Sequence, residues 1–154
     1  MVAPQRDAAV HALSCRRGRL HAGRVRRAAE GNVVYGAHPQ SLLDNPAVEI
    51  IKSLPSVWDE TIVVTSSEIG ELAAFARRRG SVWFVAAVNG PAARTMRVDL
   101  AFLGAARYDA LLVRDDLDNP AAVRIEKTAV MKSGTLAIDM RAGGGFIGRL
   151  TPRR

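Results

Sequence analysis

Two adjacent carboxylates, Asp59 and Glu60, are the residues of this sequence whose types first suggest chemistry. They follow Trp58 and precede the β-branched residues 61–64. Paired carboxylates can serve as general acid and base when both reach one reacting bond. Successive side chains of a strand point to opposite faces of the sheet, so neighbours in sequence cannot form such a pair. The sequence therefore predicts structural polar contacts for Asp59 and Glu60.

The other polar candidates are equally weak as catalytic or metal-binding groups. Asp115, Asp116 and Asp118 resemble calcium ligands superficially, but their loop lacks the Gly and the terminal Glu of an EF-hand. An acidic turn is the favoured interpretation. His38 stands beside Pro39 and has no second His at metal-ligand spacing, so we interpret it as a turn residue.

The two tryptophans could in principle stack on a sugar ring. Trp83 lies in the most apolar run of the chain, residues 82–89, and is predicted to belong to the core. Trp58 follows a proline-containing stretch at the entrance to a predicted strand. It is therefore the better candidate for a residue that covers a seam between two domains, together with Asp59 and Glu60.

Composition limits the remaining possibilities. The chain has 154 residues and a net charge of +7, of which residues 1–40 contribute most, with seven Arg against Asp7 and Glu30. Residues 1–32 show no regular apolar period, and we expect them to be disordered or not genuine coding sequence. They lack aromatic residues and a recognition motif, so no nucleic-acid partner is predicted.

Neither a secretory signal nor an apolar run of about 20 residues is evident in the sequence, so no membrane partner is expected. The single cysteine, Cys15, excludes an internal disulfide and a Cys-based zinc site.

The periodicity of the chain changes twice after residue 32. Residues 32–35 predict a short strand, and residues 41–51 predict a helix capped by Ser41 and interrupted at Asn45-Pro46. After Pro55 the pattern becomes that of short strands, over residues 58–64, 71–78, 82–89, 94–100, 108–114, 123–130, 135–140 and 146–151. Both faces of 82–89 are apolar, which predicts a central strand covered on both sides. We therefore predict an all-β fold, an antiparallel β-sandwich of about seven or eight strands.

Several segments of the sequence resemble the C-terminal end of glycoside hydrolase family 97, the α-glucosidase and α-galactosidase family. They are HPQSLLDNP, SLPSVWDET, EIGELAAFARRRGSVWFVAAVNG, the FLG at 102–104, RYDALLVRDD and GGGF, in the order of the family pattern. The resemblance covers residues 32–151 and not the first thirty or so. One departure is residues 35–39, which are more polar than the family pattern.

The resemblance implies three segments: a leader over 1–32, the remnant of a (β/α)8 catalytic barrel over 33–55, and the C-terminal antiparallel sandwich over 56–152. Members of the family are calcium-dependent α-glycosidases, often periplasmic, whose acid, base and calcium-binding glutamates lie upstream of the matching region. No catalytic, metal-binding or cofactor-binding residue is therefore carried onto this chain. It is expected to be a truncated, non-catalytic domain that packs against the barrel of a full-length enzyme and that can form a homo-oligomer. The carbohydrate substrate would be reached only through the missing domains.

The main alternative is a free-standing carbohydrate-binding β-sandwich that uses Trp58 or another exposed aromatic residue. Aromatic residues make up only 5% of the chain and lie mostly in apolar strands, which counts against this alternative.

Overall fold

The computed structural model describes residues 38–153, which form eight strands and two short helices. The predicted strand at residues 32–35 and the leader lie outside the described residues. The helices are α1 (Pro39–Leu43) and α2 (Val48–Ser53). The strands are β1 (Glu60–Val63), β2 (Leu72–Arg79), β3 (Val82–Asn89), β4 (Arg94–Asp99), β5 (Tyr108–Asp115), β6 (Val123–Val130), β7 (Thr135–Met140) and β8 (Gly145–Pro152).

The strands form two antiparallel sheets. Six of them are hydrogen-bonded in the order β1-β2-β3-β8-β5-β6, and the other two, β4 and β7, pair with each other. The core lies between the two sheets and contains the buried residues Leu72, Ala74, Trp83, Val85, Met96, Val98, Leu112, Ile138, Phe146 and Leu150. The prediction of an all-β antiparallel sandwich is thus confirmed.

The central strand β3 has a second buried face, as its sequence predicts. On the outer side of the six-stranded sheet, Phe84 and Ala86 of β3 pack with Leu111, Val113 and Ile147 of the neighbouring strands. The cover on this side is α2 and the residue before it, through Ala47, Ile50 and Ile51. The helical segment and the sheet therefore share one hydrophobic cluster.

Two local predictions are wrong in detail. The first helix begins at Pro39 with His38 as its N-cap, whose Nδ1 accepts a hydrogen bond from the Gln40 amide at 3.3 Å, rather than at a Ser41 cap. Proline suits the first helical position because it has no amide hydrogen to leave unpaired. The first strand begins at Glu60 rather than Trp58, although the Asp59 amide already donates to the Arg78 carbonyl. The break of the helical segment at Asn45-Pro46 is confirmed.

Candidate interdomain interface

The outer face of the six-stranded sheet carries a continuous row of apolar side chains. One residue from each strand lies directly opposite the next across all six strands, a set that we call the apolar row: Val63, Phe75, Ala86, Ile147, Val113 and Ile125. The three central residues of the row are buried beneath the helical segment, whereas Val63 is 55% exposed and Ile125 is 42% exposed. On the same face, exposed Val123 lies beside the Ile125 end, and exposed Val88 lies two residues along β3 from Ala86. The second helix and Ala47 therefore cover the middle of an apolar surface and leave its ends open.

The opposite outer face of the sandwich has the reverse character. The outward side chains of β4 and β7 are all exposed, and they are Thr95, Arg97, Asp99, Thr135, Ala137 and Asp139. A sheet face that is polar in this way is solvated, whereas an apolar face is expected to be covered by further protein. The two sides of the domain thus differ in hydrophobicity.

Glu49 joins the second helix to the outer face of the sheet. Its Oε1 accepts a hydrogen bond from Nη2 of Arg149 at 2.6 Å, and its Oε2 lies 3.3 Å from Nζ of Lys127. These two cationic partners, Arg149 first, hold the pKa of the Glu49 carboxyl below its usual value. Apolar contacts alone, such as those of Ile50 and Ile51, do not fix the orientation of a helix on a sheet. The ion pairs of Glu49 fix the orientation of α2, because they tie it to β8 and β6.

Trp58 is partly buried at the edge of the same apolar surface. Its ring meets Phe84 edge-on, with the ring centroids 5.3 Å apart and the planes at 79°. The guanidinium carbon of Arg77 lies 5.6 Å from the Trp58 ring centroid. A sugar-stacking platform requires a free ring face. Trp58 already has a cation against its ring, and Trp83 is buried in the core.

Asp59 and Glu60 contact two successive arginines of β2. Asp59 Oδ1 lies 2.8 Å from Nη1 of Arg79, and its Oδ2 accepts a hydrogen bond from the Gly80 amide at 2.6 Å. That backbone hydrogen bond is the largest cause of the lowered pKa of Asp59. Glu60 Oε2 lies 2.9 Å from Nε of Arg78. Both carboxylates thus bind the end of β2, and Asp59 also binds the turn that follows it, as the prediction of structural contacts requires.

The acidic turn after β5 uses its carboxylates as acceptors for backbone amides. Asp116 Oδ1 accepts from the amides of Asn119 and Asp118, both at 3.0 Å, and these bonds lower its pKa. Asp115 Oδ2 accepts from the amides of Arg141 and Gly145. An alanine at Gly144 would place its Cβ 1.8 Å from that oxygen, so the glycine-rich approach to β8 is needed for this contact.

A groove of about 480 Å³ lies beside α2, with Glu49, Asp109, Lys127, Arg149 and Arg153 along it. Its two carboxylates are engaged, Glu49 by Arg149 and Lys127 and Asp109 by Arg153. An acid/base pair needs one carboxyl poised to donate a proton and another free to accept one. The groove therefore has the properties of a salt-bridged joint.

Within residues 38–153, no group of three or more His, Cys, Asp or Glu side chains is arranged to hold a metal ion. The helices of this part of the chain are also too short and too polar to span a membrane.

Sequence reasoning missed the two features that define this surface. The apolar row was hidden because its members come from six strands, and only strand order and register bring them into line. Glu49 looked like an ordinary charged residue of a short helix, since its partner Arg149 lies one hundred residues later. The apolar residues on both faces of 82–89 were a signal in the sequence of a covered outer face.

The fold and this surface define a β-sandwich domain with one polar outer face and one largely apolar outer face. Comparison with known protein families identifies the family of this domain. The family model described as "Glycosyl-hydrolase 97 C-terminal, oligomerisation" matches residues 57–151. The chain therefore belongs to the family of C-terminal, oligomerisation domains of glycoside hydrolase family 97.

Individual relatives agree with this assignment. A retaining alpha-galactosidase from Bacteroides thetaiotaomicron is 36% identical over 112 residues, which cover 70% of this chain and 17% of the relative. A solved glycoside hydrolase family 97 enzyme from Pseudoalteromonas sp. strain K8, in complex with acarbose, superposes with a TM-score of 0.68 and 27% identity, over 74% of this chain and 19% of the enzyme. A beta-arabinopyranosidase superposes with a TM-score of 0.59 and 29% identity, over 75% of this chain and 18% of that protein. The chain thus spans about a fifth of the length of each relative or less.

Proposed function

We propose that this domain packs against the catalytic barrel of a family 97 glycoside hydrolase through the outer face of its six-stranded sheet, and that it helps to hold subunits of that enzyme together. The full-length enzyme would hydrolyse α-galactosidic or α-glucosidic bonds, in keeping with the relatives. The observation that carries the proposal is the asymmetry of the sandwich: one outer face is polar and solvated, and the other presents the apolar row with both ends exposed.

We assign the helical segment before the sandwich to the end of the barrel, as residues 33–55 of the sequence suggest. The match to the Bacteroides relative covers 70% of the chain. Residues 57–151 are 95 of 154 residues, or 62%, so that match includes residues before 57. In this proposal α2 is the contact element between the two domains, because its inner side is already buried on the sheet through Ile50 and Ile51.

Trp58, Asp59 and Glu60 form the joint between these two parts in the proposal. Asp59 and Glu60 anchor the start of β1 to the end of β2. Trp58, which stands just before them, is partly buried against Phe84 on the face that carries α2. Its remaining exposed surface is where we place the edge of the barrel.

The proposal makes the domain itself non-catalytic, with calcium bound only by the rest of the enzyme. The carboxylates of Asp59, Glu60, Asp109 and Glu49 are engaged by arginine, and those of Asp115 and Asp116 by backbone amides. Hydrolysis of an aryl α-glucoside or α-galactoside by the purified chain would overturn this part of the proposal. A shift of its unfolding temperature on addition of calcium would overturn the other part.

A chimera tests the packing surface directly. Residues 38–153 would replace the matching C-terminal part of the Bacteroides enzyme, and the unfolding temperature and α-galactosidase activity would be measured. The double substitution of Val63 and Val88 by Asp should lower the unfolding temperature of the chimera and leave that of the isolated chain nearly unchanged, because both side chains are exposed without the barrel.

Ala137→Asp provides the control for a carboxylate added at an exposed strand position, on the polar face of β7; it adds one negative charge where the double variant adds two. It should leave both proteins unchanged. If the double variant and the control affect the chimera equally, the outer face of the six-stranded sheet is not the packing surface.

The alternative function, binding of a free carbohydrate, is disfavoured by the same geometry. Trp83 is buried, and Trp58 is partly buried with Arg77 against its ring, so neither is a fully exposed platform for a sugar.

A further inference from the structure

The last strand of the six-stranded sheet, β6, is an open edge. It pairs with β5 on one side, and among residues 38–153 no strand pairs with it on the other. Seven of its eight residues are exposed, and they include the apolar side chains of Val123 and Ile125. An exposed edge of this length with β-branched residues and no proline can pair with another strand.

The backbone groups that face this open edge belong to alternate residues. Next to the β5–β6 ladder, the Asp116 amide donates to the Ala122 carbonyl, so this opposed pair is a hydrogen-bonded one. Hydrogen-bonded and non-hydrogen-bonded pairs alternate along an antiparallel ladder. The even-numbered residues of β6 therefore bond to β5. The amides and carbonyls of Val123, Ile125, Lys127 and Ala129 point away from the sheet.

We propose that β6 pairs antiparallel with β6 of a second copy of this chain, about a two-fold axis at Ile125. The inference rests on the proposed oligomerisation function and assigns it to a particular strand. Ile125 would then oppose Ile125 of the partner subunit, and Val123 would oppose Lys127 of the partner subunit. The outward-facing backbone groups of these residues would complete the ladder. The contact is isologous, as a two-fold dimer requires.

The charged residues of β6 favour this register over registers with the two-fold axis at a charged residue one or two positions away. About an axis at Ile125, Arg124 lies opposite Glu126 of the partner subunit, and symmetry repeats the pair. Axes at Arg124, Glu126 or Lys127 would each place a residue opposite its own copy and so oppose like charges. The Arg124–Glu126 pairs would fall at non-hydrogen-bonded positions, where opposed side chains are closest.

The monomer leaves these two side chains available. Arg124 lies opposite Arg114 in the β5–β6 register, and no carboxylate of residues 38–153 is within ion-pair distance of it. Glu126 is bound to Arg114, with Oε2 3.0 Å from Nε, but its side chain stays 45% exposed. Glu126 can therefore accept Arg124 of the partner subunit while it keeps Arg114.

The same register continues the apolar row. Ile125 is the exposed end of that row in each copy, and pairing at Ile125 would join two rows of six residues across the axis. The two sheets would become one sheet of twelve strands. Because this contact extends the sheet within its own plane, it leaves the outer face free to pack against a barrel.

A charge-swap experiment on the 154-residue chain tests the proposal. Light scattering after size exclusion, over micromolar concentrations, should show a dimer for the natural sequence. R124E and E126R each place like charges at both symmetric positions, and each should weaken the dimer about tenfold or more. The double variant R124E/E126R restores opposite charges and should restore the dimer. R97E, on the exposed face of β4, should have no effect.

A second measurement covers the case in which E126R fails to fold because it disturbs Arg114. With Cys15 replaced by serine, I125C should form a disulfide-linked dimer on mild oxidation, whereas V63C at the other exposed end of the apolar row should not. A dimer that is insensitive to the charge changes and is not cross-linked at position 125 would overturn the assignment of the contact to β6, while oligomerisation itself would stand. A monomer at every concentration would overturn oligomerisation of the chain as well.

Discussion

The carboxylate of Glu49 is bound to the guanidinium of Arg149, one hundred residues further along the chain, at 2.6 Å from Oε1 to Nη2. Glu49 belongs to the short helix that we assign to the end of the barrel, and Arg149 belongs to a central strand of the sandwich. With the buried contacts of Ile50 and Ile51, this ion pair makes the helix part of the folded sandwich domain. A domain boundary drawn between residues 55 and 56 would follow a proline in the sequence. It would also cut through one hydrophobic cluster, because that cluster includes residues from both sides of the boundary.

Removal of the Ile50 side chain should therefore destabilise the whole domain. Ile50 is fully buried between α2 and the sheet, so Ile50→Ala should lower the free energy of unfolding by about 2–5 kcal/mol. Ile69→Ala is the matched control, because Ile69 is 95% exposed and its truncation should change stability by less than about 0.5 kcal/mol. Urea unfolding followed by tryptophan fluorescence measures both. Equal effects of the two substitutions would show that the helix is not docked.

The ion pairs of Glu49 predict a dependence of helix docking on pH. Because its pKa in the folded chain is below the usual 4.5, the ionised carboxylate stabilises the fold fully above pH 4.5. That stabilisation is lost as the pH falls through the lowered pKa. Glu49→Gln should thus lower the unfolding temperature at neutral pH, and the difference from the natural sequence should shrink in acid.

Glu68→Gln serves as the control for this measurement, because Glu68 forms no ion pair among residues 38–153. Its difference from the natural sequence should be small at neutral pH. A Glu49→Gln difference that is constant from neutral pH to acid would contradict the assigned role of the ion pairs.

Asn89 should contribute more to the stability of the domain than its place at the end of β3 suggests. It is buried, and its Nδ2 donates to the carbonyls of Ala92 and Arg141, both at 2.7 Å. Asn89→Ala leaves these two carbonyls without that donor and should cost about 1–3 kcal/mol of unfolding free energy. Asn119→Ala, in the exposed acidic turn, removes one acceptor for the Ala121 amide and should cost clearly less. Chemical denaturation of the two variants side by side decides the comparison.

The sequence by itself determined the strands of this domain and the family to which it belongs. Alternation of apolar residues located the strands to within one or two residues, and the β-branched, doubly apolar run at 82–89 correctly indicated a central, covered strand. The sequence also indicated structural contacts for Asp59 and Glu60, because neighbouring side chains on a strand point to opposite faces of the sheet. These features are local, since each depends on residues a few positions apart.

Only the tertiary structure decided which residues form a surface. The apolar row takes one residue from each of six strands that are far apart in sequence, and a shift of register by one residue would turn a strand's apolar side chains to the other face. The contact between Glu49 and Arg149 and the open edge at β6 likewise follow from strand order. The sequence specifies which residues are apolar or charged, but the pairing of the strands determines which of them meet.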